Sequence, residues 1–361
     1  MRRMFKIAGF VALGLSTLGA AALPFTVGTR PFIGPRSRAL TDRRFEATPG
    51  RAERGRYLAT SVNGCFACHS ELDWQANGFP AKAGTEGGGR VWDREGLPFL
   101  TAPNITPDRL TGAGTWTDDM LARAIREGIG HDGRTLFPVM PYSQYRSMSD
   151  EDLASLIVYL RTMPAVTREL PKSTIPFPVS RLINALPEPI AAPVPQPDRH
   201  DTTAYGDYLT RMGACRDCHT PVDARNQPIA GMEFSGGFLL TGPYGQVAAR
   251  NLTPDPSGIP YYNADLFVEV MRTGTVKARK VHDAMPWASF GGQTDEDLRA
   301  IFQFLQTVRP VKHRVDNALP ATLCPVCGAR HGAGDQNVPR SATTTLNTRS
   351  DPSSPAHPDS D

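Results

Sequence analysis

The sequence has almost no net charge. Across 361 residues, 39 lysines and arginines stand against 36 aspartates and glutamates, which leaves +3. That is too little to point to a nucleic acid or an acidic partner surface. Apolar residues make up 40%, enough for packed cores but not for a multi-span membrane protein. Strand-like alternation is scarce beside helix-like periodicity. Cysteine is scarce too: there are six, all in Cys-x-x-Cys pairs. Glycine and proline, at 33 each, imply long irregular connections, and the length suggests two domains with connecting material.

Two of the cysteine pairs continue into histidine: Cys65-Phe-Ala-Cys68-His69 and Cys215-Arg-Asp-Cys218-His219. Two thiols at this spacing add across the vinyl groups of a haem, and the next imidazole binds its iron from one face. A single such pentapeptide also suits a zinc or thiol-redox site. Two copies in mutually similar segments point to two covalently bound haems of the c type.

The N-terminus supports that reading. Met1 to Lys6 carries three basic residues, and an apolar run follows from Ile7 to about Phe25. This pattern makes residues 1–27 either an export signal with an A-x-A cleavage site ending at Ala22 or an N-terminal anchor. In both cases the chain is expected outside the cytoplasm, in the periplasm or on the periplasmic face of the inner membrane. Covalent haem attachment in bacteria takes place there.

The two halves align at an offset of about 145 to 151 residues. Gly55-Arg-Tyr57-Leu58 matches Gly206-Asp-Tyr208-Leu209, and Asn104-Ile-Thr-Pro-Asp108 matches Asn251-Leu-Thr-Pro-Asp255. A helix then runs from a cap at Thr117 or Asn263 to Gly128 or Gly274. The last helix opens with Ser149-Asp-Glu-Asp152 or Thr294-Asp-Glu-Asp297, a hydroxyl cap followed by acids that favour a helix N-terminus. Between the halves, the nine prolines from Pro164 to Pro197 forbid continuous helix, save for one short helix over 180–186. This segment reads as a semi-rigid strap.

The iron's opposite face needs a second ligand. Met140 and Met285 occupy matching positions, each followed by proline and an aromatic residue, and a thioether there raises the potential. His131 and His282 are not matched, so neither fits a shared role. Asn104 with Thr106, and Asn251 with Thr253, suit either a carboxylate-binding role or simple turn chemistry.

Together these residues resemble the cytochrome c subunits of membrane-associated bacterial alcohol, gluconate and aldehyde dehydrogenases. The resemblance rests on Asn104-Ile-Thr-Pro-Asp108, Gly114-Thr-Trp116-Thr-Asp-Asp119, Arg126-Glu-Gly128, Asp132-Gly133, Met140-Pro-Tyr142 and Ser149-Asp-Glu-Asp-Leu153. It is looser in the second half. It implies electron transfer from a flavin or quinoprotein dehydrogenase subunit towards quinone, an oxidase or another cytochrome. Several such relatives carry three haems, whereas this chain has two pentapeptides.

The third pair, Cys324-Pro-Val-Cys327-Gly328, has glycine where a haem would need histidine. With His331 as the sole nearby third ligand, a local disulfide is the expected state, and zinc or a degenerate haem site is the alternative. From Gly332 to Asp361 the composition predicts disorder. The sequence therefore predicts a mainly α protein with two tandem class I cytochrome c domains, at 45–168 and 201–313. A Pro-rich linker at 169–200 joins them, and a largely disordered tail follows at 314–361. It is expected to transfer electrons rather than act as an enzyme; a dihaem peroxidase or a haem-based sensor is the rival.

Overall fold

The computed structural model describes residues 28–338. The expected signal or anchor at 1–27 lies outside them, as does the tail from 339. Among the described residues no helix is long and apolar enough to cross a membrane. The fold is mainly helical, with short antiparallel strand pairs between the helices.

Each half is built on the same plan. In the first, α1 (Pro49–Tyr57) runs through a π-helical turn (Leu58–Val62) into α2 (Cys65–Cys68), and α3 (Asp118–Glu127) and α4 (Asp150–Thr162) follow. In the second, α5 (Thr202–Met212), α6 (Cys215–His219), α7 (Ala264–Thr273) and α8 (Asp295–Thr307) occupy corresponding places. Local chemistry fixes where they start. The side chains of Thr117, Ser149, Asn263 and Thr294 each accept the backbone N–H three residues on, at 2.8 to 3.1 Å, satisfying N–H groups the helix cannot pair internally. Gly128 and Gly274 end α3 and α7 with φ of +72° and +63°, a conformation only glycine adopts without cost.

Two glycines set how closely the helices pack. α1 crosses α4 at Gly55, where an added Cβ would lie 1.9 Å from the Ser155 carbonyl oxygen. α5 crosses α8 at Gly206, 2.0 Å from the Ala300 carbonyl oxygen. No rotamer change relieves a clash with backbone. Alanine at either position is expected to destabilise the chain by about 1–3 kcal/mol or more through overpacking. Thermal unfolding checks this, and an unchanged midpoint in both variants would dismiss these crossings as packing determinants.

The halves meet through reciprocal contacts. Tyr57 donates its hydroxyl to Asp297 at 2.6 Å and Tyr208 donates its own to Asp152 at 2.7 Å. Each tyrosine oxygen also accepts the backbone N–H of the opposite cap, Thr294 or Ser149. Tyr57 corresponds to Tyr208 in the duplication, and Asp152 to Asp297, so residue i meets residue j′ and j meets i′. Within one chain this is the arrangement of an isologous dimer interface.

The strands β1 (Arg90–Trp92) and β2 (Leu97–Ala102) pair in the first half, and β3 (Leu239–Gly242) and β4 (Gly245–Ala248) in the second. The connection between the halves is hydrogen-bonded to the first half at two points: the Thr174 N–H donates to Phe99 O, and Asp150 and Val194 exchange two bonds. Its short helix spans Val179–Leu182 and continues as a 3₁₀ turn to Ala185. Ahead of α1, Arg38 forms a bidentate pair with buried Asp119, at 2.6 and 2.7 Å, and reaches Glu127. That pair pins the N-terminal arm to α3.

The described part of the C-terminal tail is folded, which corrects the expectation of disorder for it. β5 (Ala321–Leu323) and β6 (Arg330–Gly332) form a hairpin. Asn337 closes it, accepting from the Arg314 N–H at 2.6 Å and donating to Arg314 O and Ala333 O. Composition missed this because the stabilising groups are backbone and polar side chains. The expected Cys324–Cys327 disulfide is not formed either: both thiols are free and buried, and each faces an imidazole, Cys324 that of His313 and Cys327 that of His331.

Candidate cofactor sites

Both pentapeptides open into one cavity of about 1400 Å³, larger than the roughly 300–1,000 Å³ usual for a single small-molecule site. Cys65, Cys68, His69 and Met140 lie on its wall, as do Cys215, Cys218, His219 and Met285. The structure thus brings together all eight sequence-derived site residues. Leu121, Ile125 and Leu156 line the first side, and Phe267, Val270 and Ile301 the second. These are the inward faces of α3, α4, α7 and α8.

The two histidines are held in the same way. His69 Nδ1 lies 2.8 Å from Pro103 O, and His219 Nδ1 lies 2.7 Å from Arg250 O. Pro103 and Arg250 occupy equivalent positions, each directly before the Asn-x-Thr-Pro turn. A carbonyl can only accept, so Nδ1 carries the proton and Nε2 keeps its lone pair. Burial lowers both imidazole pKa values although the carbonyl bonds oppose it, which keeps the rings neutral, as a metal ligand must be. Burial likewise pushes the Cys65, Cys215 and Cys218 thiols up to about 12.

On the same cavity wall, the two methionine loops share one geometry. The Met140 N–H donates to Phe137 O and the Tyr142 N–H to Met140 O, at 3.1 and 2.8 Å. The Met285 N–H donates to His282 O and the Trp287 N–H to Met285 O, at 2.9 and 2.7 Å. The aromatic residue of each loop lies against the glycine that ends the preceding helix. A Cβ on Gly128 would meet the Tyr142 ring at 2.7 Å, and one on Gly274 the Trp287 ring at 2.4 Å. The helix terminator and the methionine loop are therefore one device.

Three further expectations resolve here. Asn104 and Asn251 act within the turn: their amide groups donate to Val166 O and Val311 O, and their carbonyl oxygens accept from Thr106 and Thr253. They tie the turn to the chain leaving α4 or α8. His131 stacks on Trp116 with ring centroids 4.2 Å apart. His282 is exposed, and its Nδ1 accepts the Ala284 N–H.

The wall fits haem on a further point. Trp92 Nε1 and the Tyr142 hydroxyl are buried donors on the cavity wall without a partner among the described residues. An unpartnered buried donor costs about 1–3 kcal/mol, and the carboxylate groups of a haem are acceptors of the kind they lack. Two thiols, a neutral imidazole and a thioether on an apolar wall complete the donor set for a c-type haem on each side.

No family model matches the sequence. Among characterised proteins, the chain is similar to the gluconate 2-dehydrogenase cytochrome c subunit of Pantoea cypripedii, 31% identical over 292 residues, covering 73% of this chain and 60% of the relative. The fructose dehydrogenase cytochrome subunit of Gluconobacter japonicus is 31% identical over 280 residues, covering 73% and 54%. A diheme c-type cytochrome of Cereibacter sphaeroides is 28% identical over 284 residues, covering 74% and 89%. The chain thus spans little more than half the length of the two dehydrogenase subunits. Over most of its length, it is homologous to cytochrome subunits of gluconate 2-dehydrogenase, fructose dehydrogenase and the quinone alcohol dehydrogenase and to a diheme cytochrome c.

Proposed function

We propose that the chain is a dihaem electron carrier made of two tandem class I cytochrome c domains. It would be exported to the periplasm or the periplasmic face of the inner membrane. There it passes single electrons from a dehydrogenase subunit to an oxidase or another cytochrome. The observation that carries this reading is the paired arrangement: two Cys-x-x-Cys-His segments with carbonyl-fixed histidines and two Met-Pro-aromatic loops line one apolar cavity. Haem supplies the reversible one-electron iron couple when bound. The cysteines would anchor it, and His69 and His219 through Nε2, with Met140 and Met285 through sulfur, would hold the iron. The apolar walls exclude water, and with a histidine and a methionine both engaged at each iron, no site for substrate chemistry would remain there.

Intact mass with a haem stain on a denaturing gel should show two covalent haems per chain. The reduced protein should bind carbon monoxide weakly. A single haem, three haems, or rapid stoichiometric carbon monoxide binding at one iron would overturn this assignment.

A further inference from the structure

Outside the shared cavity, four buried side chains converge at the base of the β5–β6 hairpin. His313, Cys324, Cys327 and His331 place one donor atom each so that all four lie within 4.8 Å of one another. His313 leaves α8 at the end of the second repeat, Cys324 and Cys327 form the hairpin's tight turn, and His331 lies on β6. We propose that these residues bind one zinc ion in a tetrahedral Cys₂His₂ site that fastens the C-terminal hairpin to the second half of the protein.

Cys324 Sγ lies 3.4 Å from His313 Nε2, and Cys327 Sγ lies 3.5 Å from His331 Nε2. A tetrahedral zinc with Zn–S of about 2.3 Å and Zn–N of about 2.0–2.1 Å requires an S···N edge of about 3.6 Å. Both imidazoles turn Nε2 inward because Nδ1 is engaged elsewhere: His313 Nδ1 is 3.0 Å from Ser235 O and His331 Nδ1 is 3.1 Å from Gly332 O. This is the outer-shell bond that metal-binding histidines typically make. The Cys324–Cys327 turn closes through Gly328, with φ of +76°, whose N–H donates to Cys324 O at 2.8 Å.

The chemistry balances. Two thiols each release a proton on binding, and two thiolates with two neutral imidazoles around a divalent cation leave no net charge to bury. The space is also prepared. Gly237 lacks the Cβ that would lie 2.6 Å from the His313 ring and 3.6 Å from Cys327 Sγ.

Metal analysis of the purified full-length protein, with protein quantified by amino-acid analysis, should give about one zinc per chain. Zinc-edge X-ray absorption should show two sulfur and two nitrogen neighbours. The Cys324→Ser and His331→Ala variants should each drop to near zero zinc and unfold at lower temperature. Zinc below about a tenth of an equivalent with a chain mass 2 Da lower, the mark of a disulfide, would overturn the proposal. So would full zinc retention in both variants, or iron rather than zinc at this site. The spectrum of the unaltered protein decides the question even if a variant fails to fold.

Discussion

Replacing Met140 by alanine is expected to lower one of two haem potentials by on the order of 0.2 V, out of the roughly 0.8 V that axial ligation spans. The other potential should stay where it was. A neutral thioether favours the reduced iron, and its loss admits water or a stronger nitrogen donor that favours the oxidised form. The weak near-infrared sulfur-to-iron band of the oxidised protein should fall to that of one remaining site. Met285→Ala should remove the other contribution and shift the other potential. The Met140→His variant keeps six ligands but should still lower the potential, which separates ligand identity from local unfolding. Redox titration measures all three. If Met140→Ala leaves both potentials and the band intact, the methionine is core filler.

The second large effect is on stability. Arg54 and Asp152 form a bidentate pair at 2.9 and 2.8 Å, and the Asp152 side chain is only 1% exposed. Arg54→Ala leaves that carboxylate buried with Tyr208 as its main remaining donor. Breaking one side of a buried pair costs about 3–5 kcal/mol, so the unfolding midpoint should fall by about 5–10 °C. Burial alone would raise the Asp152 pKa, but the Arg54 bonds and the Tyr208 hydroxyl outweigh it, and the net direction is down. A carboxylate with a depressed folded pKa contributes its stabilisation in full above its ordinary value of 3.8. That contribution fades as pH falls through the lower folded value. Unfolding monitored from pH 6 to pH 2 should therefore show the wild-type advantage over Arg54→Ala shrinking at the acid end. A constant gap across that range would mean that Asp152 is not the group left unpaired.

Much of this architecture was legible because its signals are local. The Thr, Ser and Asn caps, the terminal glycines, the pentapeptides and the Met-Pro-aromatic loops each declare themselves within a few residues. What was illegible depends on groups far apart in sequence. Neither the carbonyls of Pro103 and Arg250 nor the exchange of Tyr57 with Asp297 and Tyr208 with Asp152 has a one-dimensional signature, since backbone acceptors are everywhere and 240 residues separate the first pair. His313 does not announce itself as a ligand in the sequence, because it stands 11 positions before Cys324. The spacing His313, Cys324, Cys327, His331 was the available signal. The hairpin is hard to read from composition, because it buries few large apolar groups and relies on Asn337, backbone pairing and its buried His–Cys cluster.

The reciprocal tyrosine–aspartate exchange has a consequence for mass action. Two separate subunits meeting through such a surface would come apart on dilution, and each would have to remain self-complementary to keep its partner. Here a covalent connection sets the local concentration of one half near the other, so pairing does not depend on how much protein is present. Freed from self-complementarity, the two faces can drift apart in sequence. The chain shows that drift: Arg54 pairs with Asp152 in one half, where the other has Tyr205 at the matching position.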